Sequence, residues 1–427
     1  MQLNPHMLLA LVLFILTYGL MITFAEKRPY IALTSAVVFV VLGIMPLGGV
    51  FSAIDWNVLL MLAGTMGTVF LFIESKMPSR LADWLLQKTP NGMWVAVAMS
   101  LFAGIVSAFV DNVATVLMVA PVGLAICKRL KISPVPMMIC ISVSSNLQGA
   151  ATLVGDTTSI MLGGYAGMNF SEFIFMDGKL GIFWAVELGA LASVPVVMYL
   201  FRKHREPIEA PALTPVTDYF PSFLLLGTVL ALIAASFIPN TPDMINGIIC
   251  MSIFLVGLVH RVWKHKGTSQ LKRTLKAVDY ETLLLLGSLF VVIKGLEHAG
   301  VIDAIAKLFI QVGGDNLFFM YSLIVWGSVL MSAFIDNIPY VATMLPVVTG
   351  IASMMGCSPY VLYFGLLTGA TLGGNLTPIG ASANIAAIGL LRKNGYTVKT
   401  TDFLKIGVPF TLTAVTVGYL FIWFTWA

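Results

Sequence analysis

The chain has 427 residues, 58% of them hydrophobic and 10% charged, with a formal net charge of +4 and a mean hydropathy of +0.94. Soluble domains carry about 25% charged residues, so a soluble globular protein is excluded, and no polar stretch is long enough to fold into a catalytic head of its own. What remains is an all-α polytopic membrane protein.

Apolar stretches of roughly 17–23 residues recur from end to end, each long enough to cross about 30 Å of hydrocarbon as a helix. The first, at 7–25, lacks a basic leading region and a small-residue cleavage site, and reads as a span that is retained. Spans follow at 30–48 and 55–75, then a short amphipathic segment at 78–89. Apolar runs at 92–109 and 113–127 are separated only by Val110, Asp111 and Asn112, and an interrupted span (134–168) and a span at 180–201 complete the half. The order then repeats: spans at 221–238, 244–259 and 280–297, an amphipathic segment at 300–311, paired runs at 317–335 and 338–355, an interrupted span at 358–391 and a last span at 404–426.

The halves also match in detail. SAFVDNVATVLMVAPV (107–122) lies over SAFIDNIPYVATMLPV (332–347) with eight identities in sixteen at an offset of 225. Gly149, Thr152 and Gly155 fall on Gly374, Thr377 and Gly380 at the same offset, and Asp55 matches Asp279 one residue out of step. Residues 1–205 thus form a first repeat, with a hairpin at 92–127 and a broken span at 134–168. A linker (206–220) precedes a second repeat at 221–427, with a hairpin at 317–355 and a broken span at 358–391.

If each paired run is a re-entrant hairpin, each repeat crosses five times and the second is inverted, giving ten crossings and two hairpins. With both termini outside, 21 of the 24 Lys and Arg residues lie inside, leaving only Lys179, Lys294 and Lys307. Full crossings by the hairpins would scatter that segregation. The net charge therefore reflects orientation in the bilayer and gives no reason to invoke nucleic acid. Cys127, Cys140, Cys250 and Cys357 have no metal-ligand spacing, and no two histidines form the i, i+4 pair of a zinc helix.

Chemistry concentrates at four places. Asp111-Asn112 and Asp336-Asn337 sit at the hairpin tips, where an ionisable group is costly without a partner or a cavity. The bland reading is that each caps the returning arm; capping and ion binding can coexist. The other two are the breaks GAATLVGDTTS (149–159) and GGNLTPIGASAN (373–384). Gly155 and Gly380 permit unwinding, and Thr152, Asp156, Thr157, Thr158, Ser159, Asn375, Thr377, Ser382 and Asn384 offer oxygens suited to a hard cation or a small oxyanion. The alternatives there are close helix packing by small residues and, for Asp156, a helix cap. Glu187, Lys294 and Glu297 are further charges in or near spans, at least one of them paired structurally.

The duplicated DN hairpins and the TLVGDTTS and TPIGASAN breaks resemble the ion transporter superfamily. The nearest branch is that of arsenite permeases, sodium/proton antiporters and the pigmentation P protein, with citrate and dicarboxylate carriers as relatives. The resemblance covers nearly the whole chain and implies an inverted-repeat transporter of elevator type, often a homodimer, in the plasma (inner) membrane. Carried over, Asp111-Asn112-Val113 and Asp336-Asn337-Ile338 stand where dicarboxylate carriers have Ser-Asn-Thr tips that bind sodium and a substrate carboxylate. Any sodium ion would thus lie at Asp111, Asn112, Asp336 and Asn337. GDTTS (155–159) departs from the usual GDPPN or GSPPN, losing two prolines and an amide, whereas GASAN (380–384) fits unchanged.

Aspartate in place of serine at each tip adds negative charge, and no Lys or Arg within the hairpins or breaks offsets it. A cation-handling carrier is therefore expected, with no organic cofactor, Na+ and/or H+ as coupling ion, and cation/proton antiport as the activity. Proton-driven efflux of arsenite or another oxyanion, and sodium-coupled citrate or dicarboxylate transport, are the alternatives. An intramembrane aspartyl protease is disfavoured, since Leu153 precedes VGD (154–156) where that family has Gly and no Pro-Ala-Leu occurs. A passive channel would use the same oxygens without coupling.

Overall fold

The computed structural model describes residues 4–207, 212–265 and 268–427. Linker residues 208–211, and Lys266 from the count of inside charges, lie outside the described residues. The described chain is almost entirely helical. The first half contains α1 (Pro5–Thr23), α2 (Arg28–Val41), the short α3 (Val50–Ala53), α4 (Trp56–Glu74), α5 (Met77–Leu86), α6 (Gly92–Ser107), α7 (Asn112–Arg129), α8 (Val135–Gly149), α9 (Thr157–Ala166) and α10 (Ile182–Leu200). The second contains α11 (Phe220–Ser236), α12 (Ile245–His265), α13 (Thr268–Leu275), α14 (Tyr280–His298), α15 (Val301–Gly313), α16 (Leu317–Ser332), α17 (Asn337–Met355), α18 (Tyr360–Gly373), α19 (Ser382–Lys393) and α20 (Thr400–Trp426). Seven of the described helices are long and apolar enough to cross a bilayer singly. Every expected span, hairpin arm and amphipathic segment contains a helix, although α2 ends at Val41, short of the end of the expected span at 30–48.

Caps repeat between the halves. Asp55 accepts from the Val58 amide at 3.0 Å to start α4, and Asp279 accepts from the Thr282 amide at 3.1 Å to start α14. Asn91 and Asn316, 225 apart, open α6 and α16 in the same manner. Side-chain oxygens here satisfy amides that the first helical turn leaves without partners. Pro121 and Pro346, also 225 apart, lie inside α7 and α17, where a missing amide loosens the ladder.

Packing groups the helices into two bodies. In one, α4 lies against α12 and α2 against α14, with α1 and α11 outside them. In the other, α10 packs on α20, α6 on α8 and α16 on α18, and α19 lies against α7 and α8. The amphipathic helices α5 and α15 connect the bodies, and α15 is bent by 71° from α14. Gly92, which begins α6, lies beside Leu130, which follows α7, so α7 folds back along α6. In the second hairpin, Ser328 on α16 meets the Tyr340 hydroxyl on α17 at 3.0 Å.

One element was not expected. Phe175–Met176 and Lys179–Leu180 form antiparallel strands β1 and β2, with Phe175 opposite Leu180. Asp177 and Gly178 between them both have positive φ, the conformation a tight two-residue hairpin turn requires.

Candidate functional site

Each hairpin turns sharply at its DN pair because the aspartate caps the returning arm. Asp111 Oδ1 accepts from the amides of Val113 at 3.1 Å and Ala114 at 3.0 Å, and Asp336 Oδ1 accepts from the Ile338 amide at 3.1 Å. The capping reading is thus correct, and it leaves the second carboxylate oxygen of each residue for other work.

The breaks sit against those turns in matching ways. The Thr152 hydroxyl donates to the Ala108 carbonyl and the Thr377 hydroxyl to the Ala333 carbonyl, tying each unwound segment to its hairpin. A side chain at Gly155 would meet the carbonyls of Gly149, Ser107 and Ala108 at 2.5, 2.7 and 2.8 Å; at Gly380 those of Gly374, Ser332 and Ala333 lie at 2.6, 2.9 and 3.0 Å. Both glycines are thus required by close backbone approach. Ser159 donates to the Gly149 carbonyl at 3.4 Å, and Asn384 donates to those of Gly374 and Thr377, each at 3.1 Å. These residues hold the breaks open, and none of their side chains lines the main cleft.

Between the two breaks runs a buried polar network. Asn112 Nδ2 donates to Asn146 Oδ1 at 3.0 Å and lies 3.4 Å from Asp156 Oδ1. Asn146 Nδ2 reaches the Thr371 carbonyl at 2.7 Å and Asn375 Oδ1 at 3.0 Å, while Asn375 Nδ2 donates to the Val143 carbonyl at 2.9 Å. Asp156 stands at the N-cap position of α9, but its side chain makes no cap hydrogen bond. It accepts instead from the Thr158 hydroxyl at 2.5 Å, and that hydroxyl lies 3.0 Å from the hydroxyl of Thr371.

The network opens into a cleft of about 540 Å³ between the two helical bodies. Asp111, Asn112, Asp156 and Thr157 line it from the first repeat, and Asn337 and Ser382 from the second. Met66, Val69, Phe70 and Ile73 on α4 form one wall, and the cleft extends to Ala277, Asp279 and Thr282 at the start of α14. Asp279 is exposed. Three carboxylates line the cleft and no Lys, Arg or His does. Among the described residues no group of three His, Cys, Asp or Glu is placed to hold a metal ion; the carboxylate and amide oxygens that line the cleft are hard ligands.

Asp336 has a basic partner that comes from elsewhere in the chain. The hairpins and breaks contain no base to offset it, yet Arg28, at the start of α2, reaches it with Nη1 2.7 Å from Oδ2. Counted only as a loop charge, Arg28 gave no sequence signal of this reach. Asn146 and Thr371 were missed as well, although SVSSN (142–146) is conspicuously polar within an apolar run. In the sequence Asp279 stands out only as the counterpart of Asp55 between the repeats. Of the other charges near spans, Lys294 and Glu297 pair at 2.6 Å, and Glu187 accepts from Gln148 Nε2 at 3.3 Å.

Comparison with known proteins places this architecture. The citrate transporter family model, CitMHS, matches residues 11–369. The transporter Rv2684 of Mycobacterium tuberculosis is 30% identical, with 97% of each chain covered. The P protein of Homo sapiens is 26% identical over 86% of this chain and 53% of its own length. The crystal structure of the YdaH transporter of Alcanivorax borkumensis superposes with a TM-score of 0.61 over 98% of both chains at 14% identity, a likeness of fold. The chain belongs to the citrate transporter (CitMHS) family and is a multi-pass membrane transporter for a small molecule or ion.

Proposed function

We propose that the chain is an ion-coupled secondary transporter of elevator type that exchanges a monovalent cation, sodium or lithium, for protons at Asp111 and Asp156. The observation that carries this reading is the cleft with three carboxylates and no base among its lining residues. Such a cleft attracts cations and repels uncompensated anions. Asp111 and Asp156 take the cation or a proton by turns, and Asn112, Thr157 and Thr158 complete or orient the oxygen set. The hairpins enter and leave on one side, and the body carrying them shifts against the α2–α4–α12–α14 body to carry the site across.

The exposed Asp279 follows Lys272, Arg273 and Lys276 in the chain, and Arg273 and Arg261 pair with Glu74 at the end of α4. Basic residues gather on the cytoplasmic face, so the cleft in this conformation faces inward and both termini lie outside.

A second reading comes from the family's description as a citrate transporter. Citrate could enter so acidic a cleft only with cations that neutralise it. Proton flux in proteoliposomes under an imposed pH gradient separates the readings. A response to sodium or lithium supports exchange, a response to citrate alone supports carboxylate transport, and a response to arsenite alone supports oxyanion efflux.

A further inference from the structure

Equivalent positions at the two hairpin tips carry unequal charge. Asp111 and Asp336 lie 225 residues apart and cap their arms alike. Beside Asp111 the same cleft holds Asp156, whereas the position 225 residues beyond Asp156 is Ala381. The second tip therefore has one carboxylate where the first has two.

That single carboxylate is already matched. Arg28 Nη1 lies 2.7 Å from Asp336 Oδ2, with the two side chains 22% and 13% exposed. Its Nε donates to the Met21 carbonyl at 3.2 Å, so the guanidinium is held from the α1 side while it serves the tip. None of the ion pairs among the described residues involves Asp111 or Asp156. One tip thus needs a cation from outside, and the other carries its own.

We propose that the Arg28 guanidinium is a tethered stand-in for a second coupling cation at the Asp336 tip. The transporter then takes up one free monovalent cation, at Asp111 and Asp156, where two equivalent tips would take up two. Guanidinium keeps its charge at every accessible pH, and its charge-assisted contact to Asp336 is short. A free ion at this tip would have to displace a cation that cannot diffuse away. The inference rests on the cation reading of the cleft.

The other role open to Arg28 is that of a strut fixing the tip to α2, and the number of cations distinguishes the two roles. The experiment measures sodium dependence of proton flux for the wild type, Arg28→Gln, Arg28→Lys and Arg28→Gln/Asp336→Asn, together with the number of sodium ions bound per purified chain. The wild type should follow a Hill coefficient of about 1 and Arg28→Gln should approach about 2. Arg28→Lys, which keeps a tethered charge, and the double variant, which removes the carboxylate, should return to about 1. If Arg28→Gln is transport-dead, the binding measurement decides: two ions per chain support the proposal and one overturns it. A steep wild-type dependence, or unchanged stoichiometry in Arg28→Gln, also overturns it. A wild type silent to every cation would instead overturn the underlying cation reading, and that result appears in the wild-type arm alone.

Discussion

Asn146 and Asn375 meet between the two broken spans, with Asn146 Nδ2 donating to Asn375 Oδ1 at 3.0 Å while Asn146 Oδ1 accepts from Asn112 at the first hairpin tip. One fully buried amide thereby connects the first hairpin, the first broken span and the second. Truncation by Asn146→Ala leaves buried partners on both sides unpaired, each costing about 1–3 kcal/mol. The variant should melt well below the wild type in detergent and lose transport. An unchanged melting temperature would show that the network does not join the repeats.

The glycines of the breaks should be intolerant of even one added methyl. Gly155→Ala and Gly380→Ala each drive a Cβ to within 3.0 Å of three carbonyl oxygens. Overpacking of this kind costs about 1–3 kcal/mol, so both variants should show lowered thermal stability. A break with room to relax would show no loss.

Thr152→Val and Thr377→Val remove the hydroxyls that tie each break to its hairpin at nearly constant volume. Each should cost about 1 kcal/mol in stability, and the two losses should be similar because the contacts correspond. A loss confined to one variant would mean that the repeats have diverged in how they hold their breaks.

On the loop before α11, Asp218 lies 2.9 Å from Lys264 and 3.0 Å from His260 Nε2. Burial alone would raise its carboxyl, but hydrogen bonds from Lys264, the Phe220 amide and His260 outweigh it and hold the pKa below the usual carboxylate value. The stabilisation is fully present above the unfolded carboxylate value, about 4, and is lost as pH falls through the lowered folded value. The stability difference between wild type and Asp218→Asn should therefore be widest near neutrality, at no more than about 1 kcal/mol, and the gap in melting temperature should close in acid. A gap that widened in acid would reverse the assignment.

Span order, hairpins and breaks were legible because they depend on periodicity and on local residue chemistry. Asp111 and Asp336 could be read as caps and Gly155 and Gly380 as break residues from their neighbours in the chain alone. Arg28 could not, since its partner lies 308 positions away and nothing in RPYIAL marks its direction. Asn146 and Thr371 were hidden for a similar reason: hydroxyl and amide groups inside apolar spans become informative only when a facing helix brings them together. The β1–β2 hairpin was different, because Asp177-Gly178 is a tight-turn signal that the surrounding apolar spans obscured.

The central claim, a cation exchanged for protons at Asp111 and Asp156, is tested most directly by sodium- and lithium-driven proton flux in proteoliposomes for the wild type, Asp111→Asn and Asp156→Asn. The account predicts a cation response in the wild type that falls at least tenfold, or about 1.4 kcal/mol, in each variant, with the protein still folded and inserted. Wild-type flux indifferent to cations, or full cation-driven flux in both variants, would contradict it.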